Sequence, residues 1–96
     1  DEGTMSYRTF RAEIKNNRLS PDTLIVRSGD TLKLEVTAID KNYDITQPEF
    51  GMHVPIAKGV TRKVSFGVSG EGKFTMFCQL CGGIATGPLG YLIVVP

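Results

Sequence analysis

The sequence lacks several features that define large functional classes. It contains a single histidine, so no second base is available to complete a Ser-His-Asp or Cys-His catalytic set. Its 11 basic and 10 acidic residues are scattered and leave a formal net charge of +1, which argues against the concentrated basic face of a nucleic-acid-binding protein. No glycine-rich phosphate motif follows a strand and opens a helix. The sequence therefore predicts neither an enzyme nor a nucleic-acid-binding protein.

Long apolar runs are also absent. No stretch approaches the roughly 18 to 20 apolar residues of a membrane span, and no signal peptide is present. The chain starts at Asp1 without an initiator methionine, which predicts a mature form or an excised soluble domain whose leader or membrane anchor lies in a segment not present here. Its 96 residues, 41% of them hydrophobic, predict one small globular domain.

Helical periodicity is missing as well, because apolar residues do not recur at i, i+3, i+4 and i+7 over any long window. Apolar and polar residues instead alternate over short stretches separated by turn residues, which is the pattern of half-buried strands. About seven or eight such strands predict an all-β sandwich or Greek-key barrel. The predicted strands are Tyr7–Lys15, Thr23–Val26, Thr31–Ala38, Tyr43–Gln47, Met52–Ile56, Val60–Val68, Phe74–Cys78 and Leu89–Val95.

Both cysteines lie close together near the C-terminus, in the run Cys78-Gln79-Leu80-Cys81. Two sulfurs at this spacing reach either each other or one small ion, and thiolates favour Cu(I) and Zn(II). A metal site, a short disulfide that fixes the loop and a pair of idle thiols are all open interpretations. A thioredoxin-like redox motif is disfavoured, since that motif opens a helix in an α/β fold.

Further metal donors are few. His53, next to Met52, offers an imidazole nitrogen beside a thioether; the alternative is a lone surface or half-buried histidine. Met76 lies two residues before Cys78 on the same strand face, where it either contacts a metal or fills the core. The carboxylates are expected mostly in turns or outward positions, as solvated charges; they are Asp22, Asp30, Glu35, Asp40, Asp44, Glu49 and Glu71.

Three stretches of the chain resemble cupredoxins. The run from Leu19-Ser20-Pro21 to Gly29-Asp30 resembles their early signature, in which Ser-Pro precedes a strand that ends in Gly-Asp. Residues 48–66 resemble the middle of these domains, and Phe74–Val95 is similar to their metal-binding strand, loop and last strand. Cys81-Gly82 followed by Leu89-Gly90 most resembles the dinuclear copper (CuA) branch, as in cytochrome oxidase subunit II and nitrous oxide reductase. The resemblance implies one cupredoxin-like Greek-key β-sandwich over residues 1–96.

The ligand loop departs from the CuA pattern, which is Cys-x-x-x-Cys-Gly-x-x-His-x-x-Met-x-Gly. When Cys81-Gly82 is set on the second cysteine and the glycine, Phe77 falls at the first cysteine, unless Cys78 takes that role through a one-residue deletion. A normal CuA site, or a blue site with two histidines and a cysteine, is therefore not expected. The other ligand positions hold Tyr43 at the early histidine, Ala85 at the loop histidine and Pro88 at the methionine.

What the resemblance implies is a non-enzymatic, extracytoplasmic copper protein, periplasmic or extracellular, either secreted or membrane-anchored. Cys78 and Cys81 are then the thiolate core, with His53, Met76 and Met52 as candidate additional ligands. So few nitrogen donors favour Cu(I) over Cu(II). Copper handling is therefore expected ahead of electron transfer, together with a redox or copper-trafficking protein partner.

Two other interpretations stay open. In the first, the domain has lost its metal and acts as a structural or interaction module with a Cys78–Cys81 disulfide; the subunit II domain of quinol oxidases has this fold without copper. In the second, the chain is an oxidase subunit fragment that needs a partner to complete its copper site.

Overall fold

Alternating apolar and polar side chains produce nine strands in the computed structural model, which describes residues 7–96. Two short 3-10 helices, Pro48–Phe50 and Gly83–Thr86, interrupt the strands. The prediction of an all-β fold is confirmed. The strands are β1 (Tyr7–Lys15), β2 (Arg18–Ser20), β3 (Thr23–Arg27), β4 (Thr31–Ala38), β5 (Tyr43–Gln47), β6 (Met52–Ile56), β7 (Thr61–Gly67), β8 (Gly72–Met76) and β9 (Gly90–Val95).

The strands form two facing layers. The first layer is a four-stranded sheet in the order β2-β1-β4-β7, in which β1 and β4 run parallel. The second contains the sheet β3-β9-β8 and the hairpin β5-β6. Thr46 and Phe77 exchange backbone hydrogen bonds of 2.8 and 3.0 Å, which join the hairpin to the end of β8. The arrangement is a β-sandwich, as the alternation in the sequence predicts.

The core lies between the two layers and follows from strand alternation. Leu32, Leu34, Val36 and Ala38 all point inward from β4 and are at most 2% exposed. Burying apolar surface of this kind is the main stabilising term of such a domain, at about 25 cal/mol per Å². Residues on the opposite face of β4, such as Lys33, remain outside the core. The predicted bounds of β1, β4, β5 and β6 are confirmed.

Other predicted boundaries differ. Asn16 and Asn17 adopt positive φ angles of 54° and 61°, so the chain reverses within two residues and Arg18 begins β2, which is not among the predicted strands. The strand predicted over Phe74–Cys78 spans Gly72–Met76, because Phe77 leaves β9 and bridges to Thr46. β7 and β9 are each shorter than predicted. No helix within residues 7–96 is long and apolar enough to cross a membrane.

Candidate functional site

Cys78 and Cys81 lie just beyond β8 at one end of the sandwich and are joined by a disulfide. The two sulfurs are 2.06 Å apart and the two Cα atoms 5.2 Å apart. Cys78 is 2% exposed and belongs to the core, whereas Cys81 is half-buried at its margin. Of the arrangements open from the sequence, the structure therefore contains the disulfide. Residues 78–82 are called the cysteine loop below.

Backbone hydrogen bonds close the cysteine loop into a tight turn. The carbonyl oxygen of Cys78 accepts from the N–H groups of Cys81 and Gly83, at 3.2 and 3.0 Å. Gly82 has a φ of +116°, which side-chain-bearing residues rarely adopt, and a Cβ there would lie 2.7 Å from Cγ2 of Thr86. A glycine is therefore required directly after Cys81 for backbone geometry.

A buried carboxylate holds the cysteine loop from the neighbouring strand. Asp44, in β5, is 3% exposed. Its Oδ1 accepts the backbone N–H of Gln79 at 2.8 Å, and its Oδ2 accepts that of Leu80 at 2.7 Å. These are the two residues between the cysteines, so one side chain fixes the backbone that separates the sulfurs. Hydrogen bonds to a charged acceptor are the stronger kind, at about 1.5–3 kcal/mol each.

The same carboxylate connects the loop to the only histidine. The hydroxyl of Thr46 donates to Asp44 Oδ1 at 2.8 Å, and His53 Nδ1 lies 2.9 Å from that hydroxyl oxygen. Because the hydroxyl has one hydrogen and gives it to Asp44, the Nδ1–H of His53 is the donor to Thr46. Nε2 is then the nitrogen that offers a lone pair when the ring is neutral. His53 itself is exposed on β6.

The two candidate methionines lie in the core. Met76, the last residue of β8, is 0% exposed, and Cys78, two residues further along the chain, is buried in the same core. Met52 is 6% exposed and, as the neighbour of exposed His53, lies on the opposite face of β6. The structure therefore joins His53 to the cysteine loop through two side chains and buries Met76 in the same core as Cys78. Within the described part of the chain, His, Cys, Asp and Glu side chains form no group of three that could hold a metal ion.

A tyrosine whose hydroxyl makes two hydrogen bonds occupies the position of the early CuA histidine. Tyr43 is 1% exposed, donates its hydroxyl proton to Asp40 at 2.6 Å and accepts the N–H of Asn17 at 3.1 Å. Burial and the hydrogen bond to Asp40 raise the pKa of Tyr43, so the phenol stays protonated. Ala85 and Pro88 are exposed and have no copper-ligating atoms in their side chains. The residues therefore do not fit a CuA or blue copper centre, whereas Cys78 and Cys81, once reduced, offer two soft thiolates that fit Cu(I).

Asp44 is the residue of the site that the sequence did not reveal. It was expected among solvated carboxylates, and that expectation is wrong for Asp44 and for Asp30, which is 5% exposed. Asp44 does occupy an outward strand position, but the cysteine loop folds over it. Asp30 accepts the N–H of Arg27 at 3.0 Å and an N–H of Arg8 at 3.3 Å. The backbone bond from Arg27 and the guanidinium of Arg8 lower the pKa of Asp30 despite its burial.

Several solved structures share this fold. The chain is similar to the metal binding domain of the Cu(I)-exporting P-type ATPase CopA of Streptococcus pneumoniae D39, solved with Cu(I), with 15% identity, 95% of this chain and 88% of that chain covered, and a TM-score of 0.79. It is also similar to the periplasmic domain of cytochrome oxidase subunit II (CoxB) of Bradyrhizobium japonicum, with 20% identity and a TM-score of 0.74. The match covers 91% of this chain and 83% of that chain.

A third similar structure is a mixed disulfide intermediate between a thioredoxin-like protein and subunit II of cytochrome c oxidase, with 18% identity and a TM-score of 0.72. The match covers 91% of this chain and 80% of that chain. At these identities the likeness shows the fold. No curated protein sequence matches the chain significantly. Residues 3–94 match the cupredoxin-like domain family. Because that match spans nearly the whole sequence, the chain belongs to the family of cupredoxin-like domains.

Proposed function

We propose that residues 1–96 form one extracytoplasmic, non-enzymatic domain that holds Cu(I) on the thiolates of Cys78 and Cys81 after their disulfide is reduced. The observation that carries the proposal is the pair of sulfurs, in bonding contact within a loop that Asp44 fixes. Reduction leaves two soft donors side by side, and thiolate pairs favour Cu(I). The bound copper would supply a transferable soft cation.

The chain's own residues would organise that site. Asp44 would keep the backbone of Gln79 and Leu80 in place after the covalent bond between the sulfurs is broken. Cys78 would be the inner ligand, since it is 2% exposed, and the half-buried Cys81 the ligand nearer to solvent. Metal exchange with a partner would therefore occur from the Cys81 side.

Three further donors remain proposed ligands. Met76 is the first, because it is buried in the same core as Cys78 and lies two residues before it in the chain. His53 is the second, through Nε2, because Thr46 already orients its ring. Met52 is the third and lies across β6 from His53. Thiolates with few nitrogen donors favour copper handling over electron transfer, because Cu(II) prefers nitrogen and oxygen ligands.

The similar structures support the copper and partner parts of the proposal. The CopA domain was solved with Cu(I), and a subunit II domain forms a mixed disulfide with a thioredoxin-like protein. We therefore propose a thiol-disulfide or copper-trafficking protein as the partner. Location outside the cytoplasm is supported by the disulfide, since such bonds persist in oxidising compartments, and by the periplasmic origin of the CoxB domain. A membrane anchor in another segment is part of the same proposal.

An anaerobic Cu(I) titration against a chromophoric chelator tests this function. Reduced protein should withdraw copper from the chelator, and Cys78→Ser and Cys81→Ser should each abolish the withdrawal. Oxidised protein is the matched control and should leave all copper on the chelator. Met76→Leu, His53→Gln and Met52→Leu then rank the additional donors by their loss of affinity. Reduced protein that takes no copper would refute the proposal.

A second candidate function is a metal-free structural or interaction module, such as an oxidase subunit II-like domain, in which the disulfide is permanent. The burial of Cys78 favours it, because a cysteine that is 2% exposed is poorly accessible to reductants. Thiol counting on protein purified without reductant, and again after mild dithiol treatment, separates the two functions. A Cys78–Cys81 disulfide that mild dithiols do not reduce supports the metal-free module. A disulfide that they do reduce supports the copper site.

A further inference from the structure

An apolar groove opens directly beside the cysteine loop. Its volume is about 350 Å³. Leu80, between the two cysteines, is 65% exposed on one side, and Val60 is 42% exposed on the other. Pro55 and Ala57 complete the exposed wall, and Tyr43 and Ile56 form the buried floor. Exposed apolar side chains gathered around a concave surface mark interaction sites more often than scattered ones do.

The exposure of Leu80 is fixed by the backbone. Asp44 accepts the N–H groups of both Gln79 and Leu80, so the main chain cannot rotate the leucine inward without breaking a buried, charged hydrogen bond. The disulfide restrains the same loop from the other side. An apolar side chain held outward in this way loses little conformational entropy when a partner covers it.

The rim of the groove is basic. Arg62 lines it and donates from Nη1 to the carbonyl of Pro55 at 2.8 Å. Lys58 follows the lining residue Ala57, and its backbone N–H donates at 2.8 Å to Oδ1 of Asn42, another lining residue. Lys41 places its Nζ 5.2 Å from the centre of the ring of Tyr43, which also lines the groove. Arg62 therefore lines the groove, and Lys58 and Lys41 adjoin its lining residues.

The charge of Lys41 is partly compensated by the nearby carboxylate of Asp40, whereas Arg62 and Lys58 form no ion pair among the described residues. Asp40 accepts the hydroxyl of Tyr43 and the backbone N–H of Asn16, and the Tyr43 bond is the main cause that lowers the pKa of Asp40. Asp44 is turned to the cysteine loop and buried. The groove therefore presents apolar surface and positive charge beside a disulfide, which complements an apolar contact ringed by acidic residues.

We infer that this groove is the docking surface for a dithiol reductase whose active cysteine is flanked by an apolar residue and acidic side chains. The inference rests on the proposed function, because reduction produces the thiolates that bind Cu(I). The partner thiolate attacks Sγ of Cys81, the half-buried sulfur, and forms a mixed disulfide while Cys78 leaves as a thiolate. The thiolate of the partner's second cysteine then attacks the sulfur of the partner's first cysteine in the mixed disulfide. This forms the partner's disulfide and releases Cys81 as a thiolate. The partner dithiol is oxidised by two electrons, and the Cys78–Cys81 pair is reduced by two.

Three synthetic cysteine peptides test the surface on the full chain. One carries leucine and glutamates beside the cysteine, the second carries leucine and lysines, and the third carries serine and glutamates. Mass spectrometry follows mixed-disulfide formation, and each rate is divided by the rate with dithiothreitol to remove differences in intrinsic disulfide reactivity. The acidic leucine peptide should react about tenfold faster than the basic one at low salt. The difference should shrink in about 0.5 M salt, because screening shortens the reach of surface charges.

Charge reversal identifies the surface. Lys58→Glu and Arg62→Glu should each remove most of the preference for the acidic peptide, and Leu80→Ser should bring the leucine and serine peptides to equal rates. Lys63→Glu, the same charge change one residue along β7 from Arg62 and therefore on the other face of the strand, is the matched control and should keep the preference.

Equal normalised rates for acidic and basic peptides, or a preference that survives both reversals, would overturn the docking surface. A disulfide that dithiothreitol cannot open would overturn the surface and the proposed function together. If reduction shows the predicted preference but the reduced protein takes no Cu(I), the proposed copper function fails and the docking surface stands.

Discussion

Replacing Asp44 by asparagine tests how the cysteine loop is held. The change keeps the size and one acceptor oxygen of the side chain but removes its charge. In the structure both carboxylate oxygens accept backbone N–H groups of the loop, and Oδ1 also accepts the hydroxyl of Thr46. The new NH₂ group would face an N–H donor that now has no acceptor.

The size of the effect follows from these contacts. One charged hydrogen bond becomes neutral, which costs about 1 kcal/mol, and one buried donor loses its partner, which costs about 1–3 kcal/mol. Because Asp44 is 3% exposed, water cannot easily replace the lost acceptor. We expect Asp44→Asn to lower the free energy of unfolding by about 2–4 kcal/mol.

Urea denaturation of oxidised and reduced protein measures this loss. Asp44→Asn should lower the free energy of unfolding more in the reduced form than in the oxidised form. In the reduced form the disulfide no longer restrains the loop, so its conformation depends more on the hydrogen bonds of Asp44. Asp22→Asn is the matched control: among residues 7–96, its exposed carboxylate accepts only the side-chain hydroxyl of the neighbouring Thr23, at 3.3 Å, so the change should stay within about 0.5 kcal/mol. Equal stabilities of Asp44→Asn and Asp22→Asn would refute the role of Asp44.

Two further predictions concern the scaffold. Gly90→Ala should lower the free energy of unfolding by about 1–3 kcal/mol in urea denaturation, because its Cβ would lie 2.3 Å from the carbonyl oxygen of Asp22. Gly67→Ala is the control: its Cβ would meet nothing within 4 Å, so the change should be neutral or stabilising by up to about 1 kcal/mol. Equal losses of stability in both variants would contradict the steric explanation. Asp30 has a pKa lowered from 3.8 in the fold, so its stabilising contribution is complete above that value and is lost as the pH falls through the lower folded pKa. Asp30→Asn should flatten that part of the acid slope in a denaturation series, and an unchanged slope would contradict the assignment.

Strand alternation explains why much of the fold was predictable. Thr31–Ala38, Tyr43–Gln47 and Met52–Ile56 have the predicted bounds, because each has one clearly apolar face. β2 was missed, since three residues are too few to show a period and their pairing depends on the positive φ angles of the preceding asparagines. Local pattern thus predicts strands that are long enough to alternate.

The site was less predictable because its contacts are remote in sequence. The sequence left open whether Cys78 and Cys81 form a disulfide, because sulfurs at this spacing reach either each other or one small ion. Asp44 binds residues 35 and 36 positions away, so nothing in its own strand distinguishes it from a solvated aspartate. The groove likewise combines Leu80 with the β6–β7 connection, and its basic rim comes from residues that are separated in sequence.

X-ray absorption at the copper edge of Cu(I)-loaded, reduced protein tests the central claim most directly. We predict a first shell that contains the sulfurs of Cys78 and Cys81, one copper per chain and no copper–copper scattering. Loss of the bound copper, and with it of the absorption signal, in Cys78→Ser would link the signal to this loop. A shell of nitrogen and oxygen alone, or a copper–copper distance like that of a dinuclear centre, would contradict a mononuclear thiolate site.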